Sequence, residues 1–295
     1  MTLIELITAQ SARLKQAGVS FGHGTTNAFD EAAWLVLWAI GMPFDVFETK
    51  ASREATPEEA EKAEAIVTKR IETRLPAADL TNEAWLQNVP FYVDERTIVP
   101  RSFIAELLAD AEGAGGLDAW LSDTTRSVLD LCTGNGSLAV IAAMAYPDVE
   151  VDAADISDDA LAVARINVER HQLDKRITLL QSDLFSAVRG PYDLILCNPP
   201  YVNTQSMLAL PPEYLAEPAL ALAGGDDGMD LVRTILREAP KHMSAEAVLV
   251  LEIGNERAHF EHAFRRLEVA WLDTSAGDDQ VLLVTREALS KYRWT

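Results

Sequence analysis

Asn198-Pro199-Pro200-Tyr201 directly follows an apolar run, Tyr192 to Cys197, and presents polar acceptors on a stiff backbone. Consecutive prolines fix φ and restrict the residue before each, so the Asn198 side-chain oxygen and the Pro199 carbonyl keep a constant relation. An amide or aromatic amine nitrogen is a weak nucleophile because its lone pair is delocalised. Two acceptors on its N–H bonds would turn that lone pair toward an electrophile, while Tyr201 stacks on the planar group. Such chemistry works through positioning and electrostatics and needs no covalent enzyme intermediate. A purely structural turn is the alternative reading of these four residues.

Three further segments carry acids or glycines. Asp130-Leu131-Cys132-Thr133-Gly134-Asn135-Gly136 ends an apolar run and opens a helix. Gly134 and Gly136 permit backbone conformations and close approaches that a side chain would block. Gly134 to Ala139 also fits the G-x-G-x-x-A fingerprint of adenosine-containing ligands. Asp130 favours S-adenosylmethionine, because a carboxylate suits that cofactor's ammonium end and repels pyrophosphate. Asp155, 19 residues beyond Gly136, is placed to accept from both ribose hydroxyls. Asp152, Asp158 and Asp159 read as exposed or capping charges. In Ser182-Asp183-Leu184-Phe185, Asp183 can accept from an adenine amine while Leu184 or Phe185 covers the ring. Ligand-free turns remain the alternatives for the glycine segment and for Asp183. The electrophile aimed at by Asn198 would then be a sulfonium methyl group.

These residues need a scaffold, and the surrounding pattern predicts one. Ser127–Leu131, Val149–Ala153, Ile177–Leu180, Tyr192–Cys197 and Ala247–Ile253 are apolar strands. Helices Ser137–Ala145, Asp158–His171 and Met229–Ala239 separate them, Ser157 capping the second. Continuous apolar strands alternating with helices indicate an α/β, doubly wound, mainly parallel sheet covered on both faces. Val281–Thr285 is expected to add an edge strand. Upstream, Leu3 to Leu14 and Glu31 to Ile40 read as helices, and Thr56-Pro57-Glu58-Glu59 opens a third with a capping box. Ala60, Ala63, Val67, Ile71 and Leu75 form its buried stripe. Between the two regions, Trp85-Leu86 and Phe91-Tyr92-Val93 flank Gln87-Asn88-Val89-Pro90 as a short hairpin. Phe103 to Ala111 is expected to be helical with Ser102 as cap, and 113–116 a loop.

Composition narrows the class. The 295 residues are 48% hydrophobic and 24% charged, ordinary globular usage that excludes a disordered chain. Two cysteines, Cys132 and Cys197, cannot form a disulfide scaffold and read as reduced, buried residues that lie close together. Lys and Arg number 25 against 46 Asp and Glu, a net charge of −21, which argues against an extended phosphate-binding face. The N-terminus lacks a signal-peptide pattern, and its longest apolar run, Ala32 to Ile40, is about half a membrane span. His259 and His262 read as an exposed helical pair, with no metal site expected. His23 either touches substrate or fixes its turn, and Trp34 and Trp38 read as core.

Asp130 to Gly136, Asp155 and Asn198-Pro199-Pro200-Tyr201 together resemble the class I S-adenosylmethionine-dependent methyltransferases acting on nitrogen. Gly22-His23-Gly24-Thr25, Tyr92-Val93-Asp94-Glu95-Arg96, Val99-Pro100-Arg101-Ser102, Tyr192-Asp193-Leu194-Ile195, and Glu213-Tyr214 through Glu217-Pro218 to Gly225-Asp226-Asp227-Gly228 narrow the likeness. They are similar to the HemK-like protein N(5)-glutamine methyltransferase family, on the branch acting on protein three of the large ribosomal subunit. The likeness runs over almost the whole chain. It implies a helical substrate-recognition domain over 1–80, a β-hairpin linker over 81–100, and a Rossmann-like catalytic domain with a seven-stranded sheet over 101–295. S-adenosyl-L-methionine, leaving as S-adenosyl-L-homocysteine, would be held by Thr133, Gly134, Asn135, Gly136, Ser137, Asp155, Asp183 and Leu184. Asn198, Pro199, Pro200 and Tyr201 would hold a glutamine amide, with Arg101 near cofactor or substrate. The implied partner is a basic large-subunit ribosomal protein in the cytoplasm, without DNA or membrane binding. Phe103 stands where the family typically has proline, and Asn135 and Ser137 replace the commoner loop residues at unchanged spacing. Release-factor glutamine methyltransferases share the core motifs and are the nearest alternative. A nucleic-acid amine methyltransferase, a non-catalytic ribosome assembly factor and a nicotinamide dehydrogenase are more remote.

Overall fold

The computed structural model describes residues 1–109 and 116–294. Five helices come first: α1 (Leu3–Gln16), α2 (Ala28–Ala39), α3 (Phe47–Lys50), α4 (Pro57–Thr73) and α5 (Ala77–Thr81). Thr56 caps α4 as its sequence predicts, accepting from the Glu59 N–H while the Glu59 carboxylate accepts from the Thr56 N–H. Thr2 and Glu5 close the same reciprocal pair on α1. Ala63 and Val67 of α4 are fully buried against Leu6, Ile7, Leu35 and Val36, and Ala60 and Ile71 pack at the margin of that cluster. Trp34 is partly buried there, but Trp38 is 46% exposed and corrects the core reading. Trp38 lies outside the cluster that α2 forms with α1 and α4.

The hairpin pairs β1 (Ala84–Leu86) with β2 (Val89–Phe91). Its turn is shorter than the sequence suggests: Gln87 and Asn88 alone turn the chain, both at positive φ, and Val89 and Pro90 belong to the strand. Two left-handed residues match the twist of a tight hairpin. Pro90 is tolerated because a two-stranded ribbon leaves each strand a free edge.

The remainder alternates strand and helix. After α6 (Ile104–Ala109) come β3 (Ser127–Leu131), α7 (Ser137–Ala145), β4 (Glu150–Asp155), α8 (Asp158–Arg170), β5 (Ile177–Gln181) and β6 (Tyr192–Cys197). Two short helices, α9 (Thr204–Leu208) and α10 (Pro212–Leu215), precede α11 (Asp230–Glu238), β7 (Met243–Glu252), α12 (Arg257–Ala263), β8 (Ala270–Thr274), β9 (Gly277–Thr285) and α13 (Arg286–Lys291). The expectations of helix to Ala111 and of a loop over 113–116 fall largely outside the described residues.

The seven strands lie in the order β5-β4-β3-β6-β7-β9-β8, parallel except for β9, which runs antiparallel to both neighbours. Val281–Thr285 is therefore not an edge strand. It sits between β7 and β8, and β8, unassigned from sequence, forms the edge. Alternate strand residues feed two layers. Val128 and Leu194 pack with Ile104, Leu138 and Val168, while Leu129, Ile195 and Leu249 pack with Val232, Leu236, Phe260 and Leu289. Helices thus cover both faces, as the apolar strands require. No single helix among the described residues is long and apolar enough to cross a membrane.

Candidate active site

Strand order reverses between β3 and β6, and the carboxyl ends there open onto a cleft. Open α/β sheets bind ligands at such a switch point. Four strand-end segments meet in it: Gly134 after β3, Asp155 closing β4, Asp183 and Leu184 after β5, and Asn198 and Pro200 after β6.

The two glycines act differently. Gly134 has φ +57, and a Cβ there would meet no atom within 4 Å, so it would project into open space. Gly136 caps α7 at φ +81, and a Cβ would stand 3.1 Å from the Ala164 Cβ. Its bare backbone lets α7 pack on α8. Thr133, Asn135 and Ser137 are buried and shape the loop instead of lining the cleft. The Asn135 Oδ1 accepts from the Ser137 N–H at 3.1 Å.

Asp155 reaches across the cleft floor. Its Oδ2 accepts from the Gly134 N–H at 2.8 Å and its Oδ1 from the Ser157 N–H at 3.0 Å. Burial raises its carboxyl pKa against those backbone donors. Each carboxylate oxygen retains acceptor capacity for a hydroxyl. Asp130 is redirected relative to expectation. It is fully buried under the loop, where one oxygen accepts from the Thr133 hydroxyl and the Ala139 N–H, so it braces the turn rather than facing the cleft. Burial pushes its carboxyl up to about 7. Beyond β5, Leu184 faces the cleft at φ +46, whereas Phe185 points into the core and stacks on His242 at 4.7 Å.

The Asn198 side-chain amide has no hydrogen-bond partner among the described residues, and none of them donates to the Pro199 carbonyl. Pro199 is buried behind the lining. Tyr201 is also redirected. Its ring lies so close over Gly254 that a Cβ there would stand 2.5 Å from Cε2, and its hydroxyl donates to Glu252 at 3.4 Å. The Tyr201 phenol pKa is raised by burial, and Glu252, itself raised by burial, also accepts from the Ser102 hydroxyl and the Phe103 N–H. Tyr201 therefore supports the motif from behind. Its exit is fixed by reciprocal bonds, the Val202 N–H to Leu222 and the Gly224 N–H to Val202.

Arg101 is turned away from the cleft into a bidentate pair with Glu217 at 2.6 and 2.7 Å. Glu217 also accepts from the Val99 N–H and lies 3.6 Å from the His23 ring nitrogen. Although burial raises its pKa, the Arg101 hydrogen bonds and charge, with His23 beside it, bring it down to about 2. His23 is 1% exposed and packs on Tyr214, so it fixes a junction between the helical region and the segment after the Asn-Pro-Pro-Tyr motif. A second junction lies alongside, where buried Arg70 bonds Glu31 and Glu213. The two thiols are neighbours at the ends of β3 and β6, as read from sequence, and burial raises the Cys197 pKa; Cys132 is half-buried at the cleft, which corrects the reading of both as buried. His259 pairs with Glu256 on the surface of α12.

Sequence reasoning missed the remaining wall. Arg96, Thr97 and Ile98 from the linker line it together with Pro218, Leu220 and Ala221. Arg96 and Pro218 fall in segments that carry the family likeness, but no periodic signal places any of the six in a cleft. Asp94 and Arg96, an acid and a base two apart in a short linker, were the available hint.

The sheet order, the single antiparallel strand β9 and the cleft at the switch point define the class I S-adenosylmethionine-dependent methyltransferase fold. Residues 116–225 match the Methyltransferase small domain family. The solved catalytic domain of hMettl16, in complex with MAT2A 3'UTR hairpin 6, superposes with a TM-score of 0.53 at 14% identity, covering 84% of this chain and 90% of that one. That likeness is one of fold. At the sequence level the chain is similar to the ribosomal protein uL3 glutamine methyltransferase of Bordetella pertussis, 52% identical over 98% of this chain and 96% of that protein. The proteins of that name from Burkholderia pseudomallei and Neisseria meningitidis serogroup B are 49% and 46% identical, over 96% and 98% of this chain and 94% of each of them. The chain belongs to the ribosomal protein uL3 glutamine methyltransferase family.

Proposed function

We propose that this chain transfers a methyl group from S-adenosylmethionine to the side-chain amide nitrogen of a glutamine in ribosomal protein uL3. The observation that carries the reading is the pair of unpartnered acceptors, the Asn198 amide oxygen and the Pro199 carbonyl, at the end of β6. The cleft fits the cofactor. Gly134 leaves room where a Cβ would intrude, and the buried Thr97 hydroxyl on the opposite wall lacks a partner. Gly134 and its loop would take the methionine end, Asp155 the ribose hydroxyls, and Asp183 with Leu184 the adenine. Thr133, Asn135, Gly136 and Ser137 would hold that loop in shape, and Asp130 would brace it.

The cofactor supplies an electrophilic methyl group on a sulfonium. Asn198 and Pro199 accept the two amide N–H bonds of the substrate glutamine and turn its nitrogen toward that methyl. On transfer the cofactor's sulfur would keep the bonding electron pair, and the methylated nitrogen would release one proton to water. Pro200 stiffens the loop, and Tyr201, locked by Gly254 and Glu252, keeps Asn198 in register. In this reading 1–80 recognises the substrate, 81–100 links, and 101–295 catalyses, with Arg101 joining the parts.

Asn198→Ala is expected to leave calorimetric affinity for S-adenosylmethionine nearly unchanged and to lower kcat by about 10² to 10³, the cost of one preorganised polar contact. Unchanged turnover would refute the role. Mass spectrometry of ribosomal proteins and release factors from cells with and without the gene tests the substrate. Loss of one methylene mass on a uL3 glutamine supports the assignment, and loss on a release factor replaces it.

A further inference from the structure

Among the cleft's described lining residues there is one cation, Arg96. It lies with Thr97 and Ile98 on the linker wall. That wall is held against the glycine loop, because Asn167 on α8 bonds both the Tyr92 backbone of the hairpin and the Asn135 carbonyl. Folding leaves two groups there without work. The Arg96 Nε and Nη2 donate to Asp94 at 2.8 and 2.6 Å, whereas Nη1 has no acceptor among the described residues. Thr97 is 3% exposed, and its hydroxyl has no partner. A buried donor left unpaired is destabilising until an acceptor arrives. Asp94, itself held by the Tyr92 hydroxyl at 2.9 Å, fixes the plane of the guanidinium fork and so aims its unused edge.

S-adenosylmethionine carries two cationic groups, sulfonium and ammonium, and one anion, its α-carboxylate. The acids Asp155 and Asp183 stand over β4 and β5, where ribose and adenine are read. The amino-acid end is left to the glycine loop after β3 and to the wall beside it. We infer that Arg96 and Thr97 bind the α-carboxylate of S-adenosylmethionine, Nη1 and the hydroxyl each donating to it. This rests on reading the cleft as the cofactor site. Asp94 and Tyr92 act as positioning residues for Arg96.

The experiment is calorimetric titration of the full chain with S-adenosylmethionine and with decarboxylated S-adenosylmethionine, which lacks only the carboxylate. Native protein is expected to bind the decarboxylated ligand about ten- to a hundredfold more weakly, as charge-assisted hydrogen bonds predict. Arg96→Ala should weaken the intact cofactor by a similar factor and Thr97→Val by about threefold to tenfold, with little effect of either on the decarboxylated ligand. Equal weakening of both ligands by the substitutions, or equal native affinity for the two, overturns the assignment. The native comparison requires no variant to fold. Failure of native protein to bind either ligand overturns the cofactor reading itself, whereas tight and equal binding of both overturns only the carboxylate contact.

Discussion

Gly134 and Gly136 are two positions apart and answer to different neighbours, one to open cleft and one to Ala164. Alanine should separate them. Gly134→Ala is expected to cost about 1 kcal/mol from its left-handed φ and to weaken cofactor binding by placing a methyl in the cleft. Gly136→Ala adds a forced shift of α8 to the same strain and should cost about 2–4 kcal/mol, seen as the larger fall in Tm. Thermal denaturation beside calorimetry checks the pair, and matching losses in both readouts would contradict the division. The spacing of these glycines was legible in sequence. Their separate tasks were not, because Ala164 lies 28 residues away on another helix. Asn198 was legible for the same local reason. The direction of the Tyr201 ring was hidden, since Glu252 and Gly254, more than fifty residues on, decide it.

Elements reached by one long apolar run or one cap were read correctly: β3, α7 and β6 begin and end where sequence places them. Elements that failed depend on partners. The hairpin turn is set by register, α5 is only five residues long, and β8 is recognisable as an edge only once β9 is inserted beside β7. Glu217 shows what such long-range pairing does. It accepts from Val99 and Arg101 and faces His23, joining linker, helical region and the chain after β6. Its pKa is held at about 2, below the ordinary 4.5. The folded carboxyl binds protons less readily than the unfolded one, so its stabilisation is complete above about pH 4.5 and is lost as pH falls toward 2. Glu217→Gln should destabilise the chain by about 3 kcal/mol at neutral pH, and the gap from native should narrow across that acid window. Urea unfolding at stepped pH measures it, and a gap independent of pH would exclude the ionic origin.

The molecule carries −21 charges, with −4 in residues 1–80 and −17 beyond. Between Arg189 and Arg233, the stretch holding the Asn-Pro-Pro-Tyr motif, there is no Lys or Arg but six carboxylates, of which Asp226 and Asp230 are exposed. A basic protein approaching that face is drawn by a field that salt screens. Raising salt from about 0.05 to 0.3 M should therefore lift KM for such a substrate several-fold and leave kcat steady; methylation indifferent to salt would remove charge from recognition. Of the chain's two thiols, Cys132 lines the cleft at intermediate exposure, while Cys197 beside it is wholly enclosed. An alkylating reagent in water meets only the first. The unaltered sequence thus carries its own chemical label, and the rate at which Cys132 is tagged reports whether the cleft is filled.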